Sequence, residues 1–331
     1  MKKALVSFSF KLAAVAVAVA SPFAVHAAPE EVNYLLPAPP TLPAFAPWMI
    51  AQQRGYYADE NIKVNFVLGK GGVDVAKQIG AGNAVIGGAI GDTPIIVRAN
   101  GVPVKAVAVL GAGSLSALAV KKDGPIKSVP DLKGKTLTVI SYSDTTYYAL
   151  LGTLKKYNLS KNDVSIQAAG PAGVWQLFAA GKSEGMAATP DWLVDADEAT
   201  NGNVEYLKVD KPFNSMAQAI IASDETIKKN PDLIKRLVRA TLRGMQDVMK
   251  DPKSAAATYA QAAPAFKGKE EKLERILRLY NKYVYADQKV LGQMDTARLA
   301  EVQKFYVSEG IVSKAAPLTD LYTNQFVGVE R

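Results

Sequence analysis

The sequence contains no cysteine and a single histidine, His26. The first absence excludes disulfides, thiolate metal sites and a cysteine nucleophile. Charge is scarce too, at 21% of 331 residues against 49% hydrophobic. A chain that apolar and that sparsely charged folds around a core rather than staying disordered. Long hydrophobic runs are also missing. The apolar stretch near the start, Leu12 to Ala20, is too short to span a bilayer comfortably.

That stretch reads as the core of a secretory signal peptide. Lys2, Lys3 and Lys11 precede it, Pro22 breaks it, and Val25-His26-Ala27 leads to an expected cut after Ala27. A retained membrane anchor is the alternative, disfavoured by the proline and the small residues that follow at once. No cysteine follows the run, which excludes lipid attachment there. The mature chain is therefore expected to be soluble and periplasmic. Cleavage over residues 1–27 removes three lysines and no acid, taking the formal charge from +8 to +5, and it removes His26. A mature chain without histidine or cysteine cannot build a Ser-His-Asp triad, nor a zinc or copper site that needs imidazole or thiolate. No metal and no cofactor are expected. Basic residues are scattered among acids, with no aromatic-interleaved stripe, so nucleic-acid binding is not expected.

Beyond the leader, strand-like and helix-like segments alternate, which predicts an α/β chain. Strands are expected at Val32–Leu36, Ile62–Leu68, Ala84–Ala89, Val104–Leu110, Leu115–Val120, Thr136–Ile140, Val164–Gln167, Gly185–Ala188, Val204–Val209 and Met216–Ala222. Pro37 to Pro43 is a stiff loop. Asp92-Thr93-Pro94, Asn230-Pro231 and Asp251-Pro252 each pair a capping side chain with a proline, a helix-start signature. From Glu225 onward the pattern is helical, over Pro231–Lys250, Lys253–Ala262, Lys269–Tyr285 and Thr296–Ser308.

Several stretches together resemble the type II periplasmic solute-binding proteins of ABC importers, in the nitrate/sulfonate/taurine and thiamine-precursor branch. They are Ala46-Pro47 through Gly55-Tyr56-Tyr57-Ala58-Asp59-Glu60-Asn61-Ile62, Gly71-Gly72-Val73-Asp74, Ala89-Ile90-Gly91-Asp92, Asn100-Gly101-Val102-Pro103-Val104 and Val129-Pro130-Asp131-Leu132-Lys133-Gly134-Lys135. The helix from Asn230-Pro231-Asp232-Leu233 to Asp251-Pro252 fits as well. The resemblance covers essentially the whole mature chain. It implies a two-lobed α/β fold with two crossing strands and a helical C-terminal segment. One lobe would comprise 28–114 and 218–331, the other 115–217. The crossings would lie near Ser114–Ala119 and Ser215–Ala219. A solute would sit between the lobes, beyond the strand ends, and be handed to a permease and its ATPase by a monomeric binder.

Loops after strands supply the candidate ligand-binding residues. They are Thr41 and Leu42; Gly71 and Gly72; Asp92 and Thr93; Ser141, Ser143, Asp144 and Thr145; Gly170; Thr189 and Asp191; and Asn214. The glycine pair can admit a ligand anion to backbone N–H groups or simply turn the chain into a helix. Asp92 and Thr93 can touch ligand or only cap a helix. The polar run Ser143–Thr146 offers hydroxyls and free N–H groups to an oxygen cluster, or serves as a cap. Trp48, Trp175 and Trp192 each lie within a few residues of a candidate loop, where an aromatic face can stack on a planar ligand or pack in the core. Asp74, Asp92, Asp144 and Asp191 lie near these loops with Lys70 as the lone base. A bare oxyanion would lean on hydroxyls and helix ends; two aspartates facing the cleft would instead favour a cation or a hydrogen-bond-donating heterocycle.

The expected solute is small, organic and planar: an aromatic carboxylate, a sulfonate or a pyrimidine. The alternatives are ligand presentation to a periplasmic sensor kinase and an enzyme on the same fold. The resemblance includes a pyrimidine-synthesising branch, but that branch uses histidine and cysteine motifs that this mature chain lacks.

Overall fold

Alternation builds the first strand. In β1 (Glu30–Leu36), Val32, Tyr34 and Leu36 face inward while Asn33 faces water. β1 lies parallel to β2 (Ile62–Leu68) on one side and to β3 (Ile86–Ile90) on the other. β3 and β4 (Val104–Val109) do not touch; β10 (Gln218–Ser223) is inserted between them, antiparallel to both. The result is one five-stranded sheet, β2-β1-β3-β10-β4. The computed structural model describes residues 28–142, 144–209 and 213–328. The leader expected over 1–27 and the candidate Ser143 lie outside the described residues.

The second sheet repeats the plan. β6 (Thr136–Val139) lies parallel to β7 (Ser165–Ala168) and β8 (Gly185–Ala188). β5 (Ala117–Val120) is antiparallel to β8 and to the two-residue β9 (Glu205–Tyr206). Its order is β7-β6-β8-β5-β9. In each sheet the strand reached directly from the other sheet, β5 or β10, is set against its β8 or β3 neighbour. The chain crosses between Val109 and Ala117 and returns between Tyr206 and Gln218.

Helices follow the strands. α1 (Ala46–Gln53), α2 (Tyr56–Asp59), α3 (Gly72–Gly80) and α4 (Thr93–Arg98) belong with the first sheet. α5 (Thr145–Lys156), α6 (Gly170–Ala179) and α7 (Pro190–Ala199) belong with the second. The C-terminal part is α8 (Asp224–Lys229), α9 (Pro231–Lys250), α10 (Pro252–Ala262), α11 (Glu270–Tyr280), α12 (Thr296–Ser308) and α13 (Leu318–Leu321). The face of α9 formed by Leu233, Leu237, Ala240, Met245 and Val248 is buried, as its helical spacing requires. None of the described helices is long and apolar enough to cross a membrane. One large core joins the first sheet to the C-terminal helices, and two smaller ones cover the faces of the second sheet.

Residues after Ala188, where no element was expected, form the helix α7. Two local expectations need correction. The strand expected over Val204–Val209 pairs only at Glu205–Tyr206. The helix expected over Lys269–Tyr285 ends its α-helical part at Tyr280 and widens into a π-turn, Asn281–Tyr285. That turn lies against the first crossing: Gly113 N donates to Val284 O at 2.8 Å. A side chain at Gly113 would overlap the Tyr283 carbonyl, so the close approach requires glycine there.

Candidate functional site

The carboxyl ends of β1, β2 and β3 face those of β6, β7 and β8 across a cavity of about 410 Å³. This is where open α/β sheets present loops and helix starts to a ligand. From the first sheet come Pro37, Ala38, Pro39, Leu42, Phe45, Leu68, Lys70, Gly71, Gly72 and Ile90. From the second come Ile140, Ser141, Asp144, Thr146, Gly170, Pro171, Thr189, Asp191 and Trp192. Leu115 and Gln218, on the two crossings, close the back.

Local sequence explains the placement. Pro37 and Pro39, which wall the cavity, and Pro40 hold a bent loop that cannot enter the sheet. Gly71 adopts φ +93°, a left-handed value that turns the chain directly into α3. Asp144 caps α5, its Oδ1 accepting from Thr146 N at 2.9 Å and Thr146 Oγ1 at 2.5 Å. Thr189 precedes Pro190 at the start of α7, so Asp191 enters the first turn.

Asp191 is the electrostatic centre of the far wall. Its Oδ1 accepts from Thr189 Oγ1 at 2.5 Å and from the Tyr280 hydroxyl at 2.8 Å. Burial raises its carboxyl above the usual range, opposed by those two donors. Burial also raises Asp144, opposed by the Thr146 bonds. In both aspartates one oxygen is tied by protein donors, and Oδ2 makes no hydrogen bond among the described residues. Lys70 is the sole basic side chain on the lining among the described residues, and it is exposed.

Of the candidates read from sequence, Leu42, Gly71, Gly72, Ser141, Asp144, Gly170, Thr189, Asp191 and Trp192 come together on this lining. The backbone of Thr145 opens α5 beside them. The others stand elsewhere. Thr41 is exposed on the proline loop. Trp48 is fully buried behind Phe45, edge to face at 5.9 Å, in the large core. Asp92 and Thr93 are buried at the start of α4; Thr93 Oγ1 accepts from Ile90 N at 3.2 Å, and Asp92 accepts from the Tyr306 hydroxyl at 2.7 Å. Burial pushes the Asp92 carboxyl up to about 6. Trp175 packs against a core beneath the second sheet. Asn214 sits on the return crossing, its carbonyl accepting from Arg298 Nε at 3.0 Å.

Sequence reasoning did not name Phe45, Leu68, Ile90, Leu115, Ile140 or Gln218 as ligand-binding residues. Each is apolar or uncharged: Leu68, Ile90, Ile140 and Gln218 lie at or next to strand ends, Leu115 on the first crossing, and Phe45 in the short turn Pro43–Phe45 before α1. Position at a strand end could have marked the first four. Among the described residues no group of His, Cys, Asp or Glu is arranged to hold a metal ion.

A family model described as NMT1/THI5 like matches residues 42–255. The chain is 28% identical over 294 residues to the riboflavin-binding protein RibY of Chloroflexus aurantiacus, covering 86% of this chain and 82% of that protein. It is 26% identical over 230 residues to the 4-amino-5-hydroxymethyl-2-methylpyrimidine phosphate synthase of Schizosaccharomyces pombe, covering 66% and 65%. The alkanesulfonate-binding protein SsuA from Xanthomonas axonopodis pv. citri, solved bound to MOPS, matches with a TM-score of 0.70 at 18% identity, covering 91% of this chain and 100% of that one. The fold is that of the periplasmic binding proteins.

Proposed function

The chain belongs to the NMT1/THI5-like family, and on that premise we propose that it is the periplasmic solute-binding component of an ABC importer. Its solute is a planar, mainly apolar heterocycle that carries N–H donors. One observation carries this reading: the cavity between the two sheets has apolar walls, and its unpaired carboxylate oxygens are hydrogen-bond acceptors. Trp192 and Phe45 provide ring faces for a flat solute. Asp144 caps α5 and Asp191 stands in the first turn of α7, and both offset the positive ends of those helices. A nitrate or sulfonate group would meet these two carboxylates with only Lys70 to counter them among the described residues. The relative named as a riboflavin-binding protein and those named as pyrimidine phosphate synthases point to the same broad chemistry, a nitrogen heterocycle.

Residues 28–114 with 218–331 form one lobe and 115–217 the other, and the solute touches both. Contact with both lobes favours closure, because a ligand shifts a two-state equilibrium by its differential affinity. The closed, monomeric binder is then handed to a permease and its ATPase. Binding without chemistry is favoured over synthesis: no cysteine is present and the single histidine falls in the expected leader.

A solute panel read by thermal shift and tryptophan fluorescence tests the reading. Lumiflavin or 4-amino-5-hydroxymethyl-2-methylpyrimidine is expected to raise Tm and alter emission, while nitrate and MOPS leave both unchanged. Stabilisation by nitrate or MOPS alone would overturn the solute class. No response to any small solute would overturn the binding role.

A further inference from the structure

Gln218 is 3% exposed, at the first residue of β10, where the return crossing enters the sheet. Its backbone is fixed on both sides: it pairs with Ile90 of β3, and its carbonyl accepts from Leu110 N at 2.7 Å. Its side chain lines the cavity beside Ile90 and Leu115. The side-chain oxygen Oε1 is buried and has no partner. The amide nitrogen has no hydrogen bond among the described residues either. An amide oxygen buried without a partner is costly, and in native proteins it calls for a physical reason. The neighbours of Gln218 along the chain, Ala217 and Ala219, are small and apolar, and both are fully buried.

We propose that Gln218 is a specificity-determining residue whose carboxamide pairs with an amide-like edge of the solute, an N–H beside an acceptor. This deepens the reading of the cavity as a heterocycle site and rests on it. A carboxamide offers one acceptor and one donor in a plane, the complement of a lactam or an aminopyrimidine edge. It is uncharged, so the pairing needs no counter-ion inside an apolar cavity. The chemistry selected is therefore a flat ring with an edge N–H beside a carbonyl or ring nitrogen. A site built to hydrogen-bond such a group discriminates strongly against an analogue that lacks it, because its own buried polar atoms are then left unmatched.

The experiment compares lumiflavin, which carries a lactam N–H, with 3-methyllumiflavin, in which a methyl group replaces that hydrogen. Each is titrated calorimetrically into the mature protein and into Gln218→Met and Gln218→Glu. The wild type is expected to bind lumiflavin about tenfold or more tightly than the methylated ring. Gln218→Met is expected to close that gap to within about twofold, mainly by losing affinity for lumiflavin. Gln218→Glu, which keeps an acceptor and loses the donor, is expected to fall between. Thermal melts of the unliganded variants check that they fold, and the wild-type preference between the two rings tests the idea without any variant. A wild type that binds both rings equally, or a Gln218→Met protein that keeps the full gap, would overturn the role of Gln218 and leave the heterocycle reading standing. A wild type that binds neither ring but binds MOPS would overturn both.

Discussion

Asp92 is the most deeply buried carboxyl among the described residues, with Tyr306 donating to Oδ2 at 2.7 Å and Oδ1 left without a partner. Desolvation lifts it from 3.8 to about 6, more than the Tyr306 bond pulls it down. A folded-state pKa above the unfolded one means that the fold binds the proton more tightly. Its stabilising share is fully present below pH 4 and is lost as pH rises through about 6. A shift of that size corresponds to roughly 3 kcal/mol across the window. Asp92→Asn keeps an acceptor for Tyr306 and removes the titration. The difference in urea-unfolding free energy between wild type and Asp92→Asn should therefore change between pH 4.5 and pH 7.5 in favour of the variant. Parallel pH profiles would show that Asp92 does not titrate in this range. At this scale the sequence was legible where a residue's local role and its site role coincide. Asp144 and Asp191 could be picked out because helix starts after strands face the cleft. Trp48 and Trp192 look alike in the sequence, each beside a candidate loop. Only packing separates them: Trp48 stands one layer behind Phe45, and Trp192 stands on the wall.

The same contrast holds for whole elements. Capping residues followed by proline announced α4, α9 and α10. The same signature, Thr189-Pro190, opens α7, but the acids Asp195, Asp197 and Glu198 interrupt any apolar period. The two sheets were legible from alternation and from resemblance; the short pairing of β9 was not, because its extension depends on the partner β5. The crossings carry a feature no local pattern shows. Arg298, on α12, donates to the carbonyls of Ala112, Asn214 and Ser215, and to Ser114 Oγ at 3.3 Å. One planar fork thus ties the outgoing crossing to the returning one, beside the direct bond from Ser114 Oγ to Ser215 O at 2.9 Å. Arg298→Lys keeps the charge and loses the fork, leaving carbonyls unmatched at a half-buried site. It should destabilise the protein by about 1–3 kcal/mol in denaturant unfolding. An unchanged midpoint would mean that water or the lysine satisfies the crossings equally well.

Across the whole molecule, the C-terminal helices reach from the first sheet's side to the second. On one flank, α12 sets Tyr306 against Tyr148 of α5 at 6.0 Å, and Glu309 just beyond it pairs with Lys155 at 3.2 Å. On the other flank, α11 lies along α7. Lys272 pairs with Asp195 at 2.7 Å and with Glu198 at 2.6 Å, and Arg275 pairs with Asp197. The same helix ends in Tyr280, whose hydroxyl holds Asp191 on the cavity wall. The surface pairs and the solute-facing carboxylate are therefore linked through one rigid helix, and both are satisfied in the arrangement that encloses the cavity. Partly exposed pairs of this kind contribute roughly 0.2–1 kcal/mol each and weaken as salt screens them. If they favour the closed arrangement, solute affinity should fall as salt rises from 20 mM to 0.5 M. The double variant Lys272→Ala with Arg275→Ala should bind up to about fivefold more weakly at low salt, from roughly 1 kcal/mol in total. It should also show a flatter salt dependence. Measuring lumiflavin affinity for both proteins at both salt concentrations decides the matter. Identical salt slopes would mean that α11 rides with α7 in every arrangement and takes no part in closure.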